Sequence, residues 1–381
     1  MALPPLALRL ALSGVLAVAA WDVGRKALAD SAFREQTPEG VDRAIALDGR
    51  DTRFLLARSL LLDRQGAGAT PPLERAAELS PRDDLIWQRL GLQRELEGRI
   101  EEAERSLLRA AELSRKYEPR WTLANFYFRQ GRRDEFWKWA RAGLESGWPD
   151  PRPLFDLCRA LESNLEEVER KAVPDNPRMK VLFALYLADQ GRLDLVEARA
   201  AGLEPPGAEL DGIMAHLVDR LLAGYRTQAA DHVRRTLNRP ELFERRGFDW
   251  SGPAVRTQAG WRIEWNGDQP ETLDVLARIA AVDPGRPYRL RWRSETRLSS
   301  PAGALRSSGV RWIVQEWTRE AAPVAASGEL PVSGGGGGSV EFRGPRVGGV
   351  RLALEYRRPS GSMRAEGAVE VMQLEVEPVS P

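Results

Sequence analysis

One cysteine and two histidines in 381 residues remove several chemistries at once. Cys158 alone cannot close an internal disulfide or supply a cysteine-built zinc site. It reads as a small buried apolar residue. His216 and His232 lie on separate helical stretches with no partner motif, so no Ser-His-Asp arrangement follows from them. An excess of charge is missing too. Lys+Arg 56 against Asp+Glu 55 leaves a net charge of +1, with no long-range field to draw in nucleic acid or an acidic membrane. The acidic pairs Glu101-Glu102 and Glu166-Glu167 sit in amphipathic runs, where carboxylates form the solvated face. No cofactor and no metal site is implied.

A full-length apolar run is also lacking. The uncharged stretch 10–21 covers about 12 residues, against the roughly 20 that a helix needs to cross a bilayer. Arg9 precedes it, Arg25 and Lys26 follow it, and Ala17-Val18-Ala19 offers a small-residue cleavage pattern. Residues 1–26 are therefore expected to be a signal segment or a retained membrane anchor, with Trp21, Arg25 and Lys26 at the interface. A buried first helix is the competing reading. If the segment is retained, the bulk of the chain is expected on the far side of the membrane it anchors in, and if it is cleaved, the chain is expected to be exported.

What the chain does contain is repetition. Ala76-Ala77-Glu78-Leu79-Ser80 returns as Ala110-Ala111-Glu112-Leu113-Ser114, at the roughly 34-residue period of a helix-turn-helix repeat. Trp87 and Trp121 share that spacing. Trp87, Leu90 and Gly91 fall on one face of a first helix, and Ala103, Leu107 and Ala110 on one face of a second. These are packing positions, with Gly91 and Ala103 small enough for close backbone approach. Three turns, beginning Gly98-Arg99, Gly131-Arg132 and Gly191-Arg192, place a glycine where a helix ends in a left-handed residue and acidic residues where the next begins. Phe136 and Trp137 occupy a position where a small residue is expected, which predicts either more open packing in that unit or an aromatic cluster with Trp139 and Trp148. Stretches 154–168 and 213–237 read as further helices, so the helical array spans 27–237.

From 238 to 381 the period changes. Asn238-Arg239-Pro240 breaks the last helix, and alternation predicts strands at 261–266, 273–281, 288–295, 310–317, 340–343, 350–358 and 368–377. Such a series of short strands argues for an antiparallel two-sheet sandwich or jelly roll. Tyr288, Leu290 and Trp292 alternate with Arg289, Arg291 and Arg293, separating a core face from an Arg-rich outer face. The five glycines at 334–338 read as a flexible loop. Trp317 is the aromatic expected to be exposed. With Gln315, Arg311, Arg291, Arg351 and Glu355 it forms the candidate carbohydrate-binding set, by stacking and by charged hydrogen bonds.

The Trp-x2-Leu-Gly pattern at Trp87, Leu90 and Gly91 and the recurring alanines resemble tetratricopeptide repeats, over 38–150 and more loosely over 176–236. Glu241-Leu242-Phe243-Glu244 with Phe248-Asp249-Trp250, Pro284-Gly285-Arg286-Pro287-Tyr288-Arg289-Leu290, Gly309-Val310-Arg311-Trp312-Ile313 and Gly361-Ser362-Met363-Arg364-Ala365-Glu366-Gly367 resemble the jelly-roll, carbohydrate-binding-module-like domain behind such arrays in some bacterial exopolysaccharide-associated proteins. The fold expected is thus a multidomain α + β chain, a helical solenoid followed by an antiparallel sandwich. The function the resemblance implies is a non-catalytic, envelope-anchored adaptor. It would hold a protein partner in the repeat groove, with a glycan or a second protein on the sandwich, in surface polysaccharide assembly or export. The alternatives are a carbohydrate-active enzyme with a carboxylate site between the two domains, and a sandwich that is a structural or oligomerisation module.

Overall fold

The computed structural model describes residues 5–147, 150–204, 207–237, 247–300 and 305–379, and its contacts divide the chain into Met1–Pro174 and Asp175–Pro381. Trp148, the 238–240 helix break and the 241–244 segment lie outside the described residues.

The first unit is helical: α1 (Pro5–Phe33), α2 (Pro38–Leu47), α3 (Thr52–Arg64), α4 (Thr70–Leu79), α5 (Asp84–Leu96), α6 (Ile100–Leu113), α7 (Tyr117–Arg129), α8 (Arg133–Glu145), α9 (Arg152–Leu161) and α10 (Leu165–Ala172). Local chemistry sets the starts. Asp51, Asp83 and Asn164 accept from the backbone N–H of Arg53, Leu85 and Glu166 at 2.9, 3.0 and 3.0 Å, satisfying donors that the first turn leaves unpaired. Asn164 thereby divides 154–168 into two helices. Gly98 and Gly131, at φ +77° and +69°, end α5 and α7 as their turns require.

Helices pack in successive antiparallel pairs. In α5 and α6, Gly91, Leu90, Ala103, Leu107 and Ala110 are all buried. A Cβ on Gly91 would lie 2.6 Å from Leu107 Cδ2 and 3.1 Å from Ala103 O, so the close approach read from the small residues is real. Trp87 is half-buried against the neighbouring core and donates to Pro81 O at 3.1 Å. Trp121 stacks on Tyr117 with centroids 5.9 Å apart. The bulky pair Phe136 and Trp137 is accommodated by an aromatic cluster with Phe128, at centroid distances of 5.9 and 5.0 Å around Phe136. Cys158 is fully buried, and burial pushes its thiol up to about 12.

Helix α1 does not stop at Lys26. Its last turns pack Ala29 and Ala32 against Ala44 and Phe54, so α1 is the antiparallel neighbour of α2. Leu12, Val15, Leu16, Val18, Trp21 and Val23 on its preceding turns are exposed. Among the described residues no helix is long and apolar enough to cross a membrane.

Among the described residues the second unit contains α11 (Pro177–Asp189), α12 (Leu193–Ala200), α13 (Asp211–Ala223), α14 (Thr227–Leu237) and nine strands. Gly191, at φ +74°, ends α11, and Tyr225, at φ +62°, splits 213–237 into α13 and α14. Strands β1 (Val255–Arg256), β2 (Gly260–Asn266), β4 (Pro287–Ser299), β7 (Ser333–Arg343) and β9 (Glu366–Pro378) form a five-stranded antiparallel sheet in the order β1-β2-β9-β4-β7. Strands β3 (Thr272–Ala281), β5 (Val310–Glu316), β6 (Pro323–Glu329) and β8 (Gly349–Arg357) form a second in the order β3-β8-β5-β6. The inner faces of both sheets share one core, centred on Trp312, Trp292, Tyr356, Leu290 and Leu354.

Two strand expectations are corrected. The glycines at 334–338 are no loop: they lie within β7 and pair in register with 292–296 of β4. Backbone hydrogen bonding needs no side chain, whereas alternation can be read only from side chains. Strand β6 was also absent from the expected set, since Pro-Val-Ala-Ala-Ser-Gly-Glu shows little alternation. As an edge strand it needs less.

Helices α13 and α14 pack directly on this sandwich. Gln228 Nε2 donates to Val282 O at 3.2 Å, and Thr227 fills the space where a Cβ on Gly349 would lie, 2.2 Å from Thr227 Oγ1. Secondary structure therefore changes after α14, while the compact unit begins at Asp175.

Candidate functional site

Five of the six predicted carbohydrate-binding residues belong to the four-stranded sheet or its end. On paired β5 and β8, Arg311 lies opposite Glu355 and Gln315 opposite Arg351. Arg351 Nη1 donates to Gln315 Oε1 at 3.2 Å and also pairs with Asp274, while Glu355 sits 3.8 Å from Arg357. Arg351, Gln315 and Glu355 thus already have partners within the protein.

Trp317 is not the free aromatic platform expected. Its indole Nε1 donates to Leu222 O at 3.0 Å and its ring meets Tyr225 at 5.6 Å, so it fastens the end of β5 to the end of α13. Both partners are reached through the tertiary fold, and strand alternation carries no trace of them. Trp317→Ala is expected to cost about 2 kcal/mol of stability, from lost aromatic burial and one hydrogen bond. Chemical denaturation followed by circular dichroism measures this, and a variant as stable as wild type would rule out the fastening role.

Arg291, the sixth residue, lies on the outer face of the five-stranded sheet. There β4 presents Arg289, Arg291, Arg293, Glu295 and Arg297, alternating with buried residues. Most of these charges are paired: Arg289 with Glu341 at 2.5 Å, Arg291 with Glu377 at 3.3 Å and Arg297 with Glu295 at 2.6 Å. Arg293 breaks the ladder. Its cross-strand neighbours are Gly337 on β7 and Met372 on β9, and it has no ion pair among the described residues.

Around Arg293 the face is hollowed into a groove of ≈ 840 Å³, lined by Arg291, Arg293, four of the five glycines, Ser339, Gln373 and Glu375. Gln373 holds φ +49° where β9 slips register against β4 between Arg291 and Arg293, a bulge that re-aims side chains. The glycines differ in what the fold demands. Gly334 has φ +101°, and a Cβ on Gly338 would lie 2.5 Å from Trp292 Cζ2. At Gly335, Gly336 and Gly337 a Cβ would meet nothing closer than 3.5 Å. Each of those three costs a strand about 0.5–1 kcal/mol relative to alanine, for which packing offers no reason. Sequence reasoning passed over Arg293, Gln373 and Glu375 as groove residues because the glycines looked like a loop. Their usable signal was the alternation of Val340 and Phe342 with Glu341 and Arg343 directly after the run.

A second hollow, of ≈ 600 Å³, is lined by Asp249, Trp250, Arg256 and Trp261 among others. Its tryptophans are already engaged, Trp250 by Arg278 at 5.2 Å and by Trp312 at 5.4 Å, and Trp261 by Arg256 at 5.9 Å. Burial holds the Arg278 guanidinium below its ordinary range. In the helical unit, Arg99 and Arg132 hydrogen-bond Glu102 and Glu135 three residues on, each at 3.0 Å, and hold both carboxyls below the usual carboxylate range. His216 and His232 are exposed on α13 and α14. Among the described residues no group of three or more His, Cys, Asp or Glu is placed to hold a metal ion.

The chain is a series of antiparallel helical hairpins followed by an antiparallel two-sheet β-sandwich. Among solved structures it is similar to PilF from Pseudomonas aeruginosa, with 16% identity and TM-score 0.34 over 47% of this chain and 92% of that one. It is also similar to a TPR repeat-containing protein from Cytophaga hutchinsonii, with 12% identity and TM-score 0.31 over 58% and 98%. A CBM4 domain matches 34% of this chain and 79% of its own length, with 10% identity and TM-score 0.24. No protein-family model matches the sequence, and no curated protein matches it. None of these likenesses bears on what this chain binds.

Proposed function

We infer that the protein is a non-catalytic adaptor of the cell envelope. Its helical repeats hold a protein partner, and its sandwich contacts a glycan in the assembly or export of surface polysaccharide. The observation that carries the protein-binding half is a stripe of exposed leucines on α5. Leu85, Leu92 and Leu96 are 46%, 37% and 76% exposed and share one helix face by spacing. A folded helix leaves such apolar area in water where a partner covers it, and stacked hairpins present surfaces of this kind side by side. The exposed apolar turns of α1 support attachment to the envelope membrane.

The test is affinity capture of the full chain from its native membranes, after cross-linking, beside a Leu92→Glu, Leu96→Glu variant. The variant is expected to fold with a stability change near ±0.5 kcal/mol per exposed site and to lose, by at least about tenfold, a protein the wild type retains, since a buried unpaired carboxylate is strongly unfavourable. Equal capture by both chains would sink the reading.

A further inference from the structure

The outer groove of the five-stranded sheet carries the argument further, and it rests on the reading above that the sandwich contacts glycan. The glycines by themselves would make no site. Arg293 does, because it is an exposed cation whose two cross-strand positions hold Gly337 and Met372, while Arg289, Arg291 and Arg297 on the same strand all have carboxylates. A guanidinium offers a planar pair of donors matched to a carboxylate. What Arg293 lacks within the described protein, a ligand can supply.

The shape and lining of the groove narrow that ligand. It crosses β9, β4 and β7, from Gln373 and Glu375 through Arg291 and Arg293 to Ser339 and the glycines. A ligand lying this way runs across the strands, so it cannot be a strand added along the edge of β7. The lining side chains are polar, apart from Trp292, which is 7% exposed beneath the floor. No apolar side-chain pocket is offered. Amide, hydroxyl, carboxylate and guanidinium groups around a flat backbone floor suit a chain of hydroxyl-rich rings carrying negative charge.

We propose that this groove binds an extended, carboxylate-bearing glycan. A uronate carboxylate pairs with Arg293, sugar hydroxyls bond to Gln373, Ser339 and Glu375, and the rings lie on the bare backbone at Gly335 and Gly337. Gly335 and Gly337, at which the fold has no steric need for glycine, thus keep the floor open.

Isothermal titration of the full chain with an oligogalacturonate tests this, beside a neutral gluco-oligosaccharide of equal length and a polyglutamate peptide. Binding of the uronate oligomer is expected, at least tenfold weaker in Arg293→Gln and in Gly337→Thr. Gly337→Thr is expected to melt no lower than wild type, because a β-branched residue favours a strand and a Cβ there meets nothing closer than 3.7 Å. Absence of uronate binding, or equal binding by either variant, overturns the site. Equal binding of the neutral oligosaccharide overturns the role of charge, and equal binding of polyglutamate overturns the glycan. Protein capture through α5 is read in a separate assay, so either half can fail alone.

Discussion

Trp312→Ala is expected to remove about 3–5 kcal/mol from the stability of the Asp175–Pro381 unit, out of a usual 5–15 kcal/mol for a domain. The ring is fully buried between the sheets, T-shaped to Trp250 at 5.4 Å and tilted on Trp292 at 5.8 Å. Its neighbours sit on hydrogen-bonded strands and a bridged segment, so they cannot collapse into the cavity that truncation leaves. Trp312→Phe should behave differently. Trp312 Nε1 is buried with no hydrogen-bond partner among the described residues, and a buried donor without an acceptor is itself costly. Phenylalanine discards that donor and keeps most of the ring, so its cost should stay under about 1.5 kcal/mol. Denaturant unfolding monitored by near-ultraviolet circular dichroism separates the two variants. Equal losses for Ala and Phe would show that ring packing is not what holds the sandwich.

Gly91→Leu is the matching experiment in the helical unit. An isobutyl group at Gly91 must enter space where a Cβ already lies 2.6 Å from Leu107, and Leu107 is itself fully buried. Overpacking of this kind costs about 1–3 kcal/mol or more, and here it forces α5 away from α6. Leu107→Ala alone should cost about 2–5 kcal/mol through its cavity. In the double variant the new leucine fills the volume vacated across the helix pair, so the two losses should sum to less than additive. Strict additivity in the thermal or urea midpoints would mean that Gly91 and Leu107 do not share one packing site. Gly91→Ala is a milder control, because the roughly 1 kcal/mol gained in helix propensity offsets part of the crowding.

The contrast between these two positions shows what is readable from a chain. Gly91, Ala103, Leu107 and Ala110 were legible as packing positions because a helix repeats every 3.6 residues and a solenoid repeats the whole hairpin. A local period, seen twice, is enough. Gly98, Gly131 and Gly191 were legible as helix ends for the same reason. In the sandwich, alternation marked most strands, and Trp292 and Leu290 as core, since each side chain reports its own face.

The candidate site was not legible in this way. Residues 334–338 have no side chains to alternate, so their membership of β7 could be decided only by pairing with β4. Arg293 looked the same as Arg291 in the sequence. Its isolation arises because register sets Gly337 and Met372 beside it, from strands roughly 44 and 79 residues away along the chain. Trp317 looked exposed because strand periodicity carries no information about the helix whose Leu222 carbonyl it meets. The sequence by itself determined the helical repeat, the change to extended structure and the inner face of the main strands, all consequences of local periodicity. Tertiary structure alone decided which charges lack partners, which tryptophan is covered and where the bare groove runs, because those depend on contacts between residues far apart in the chain.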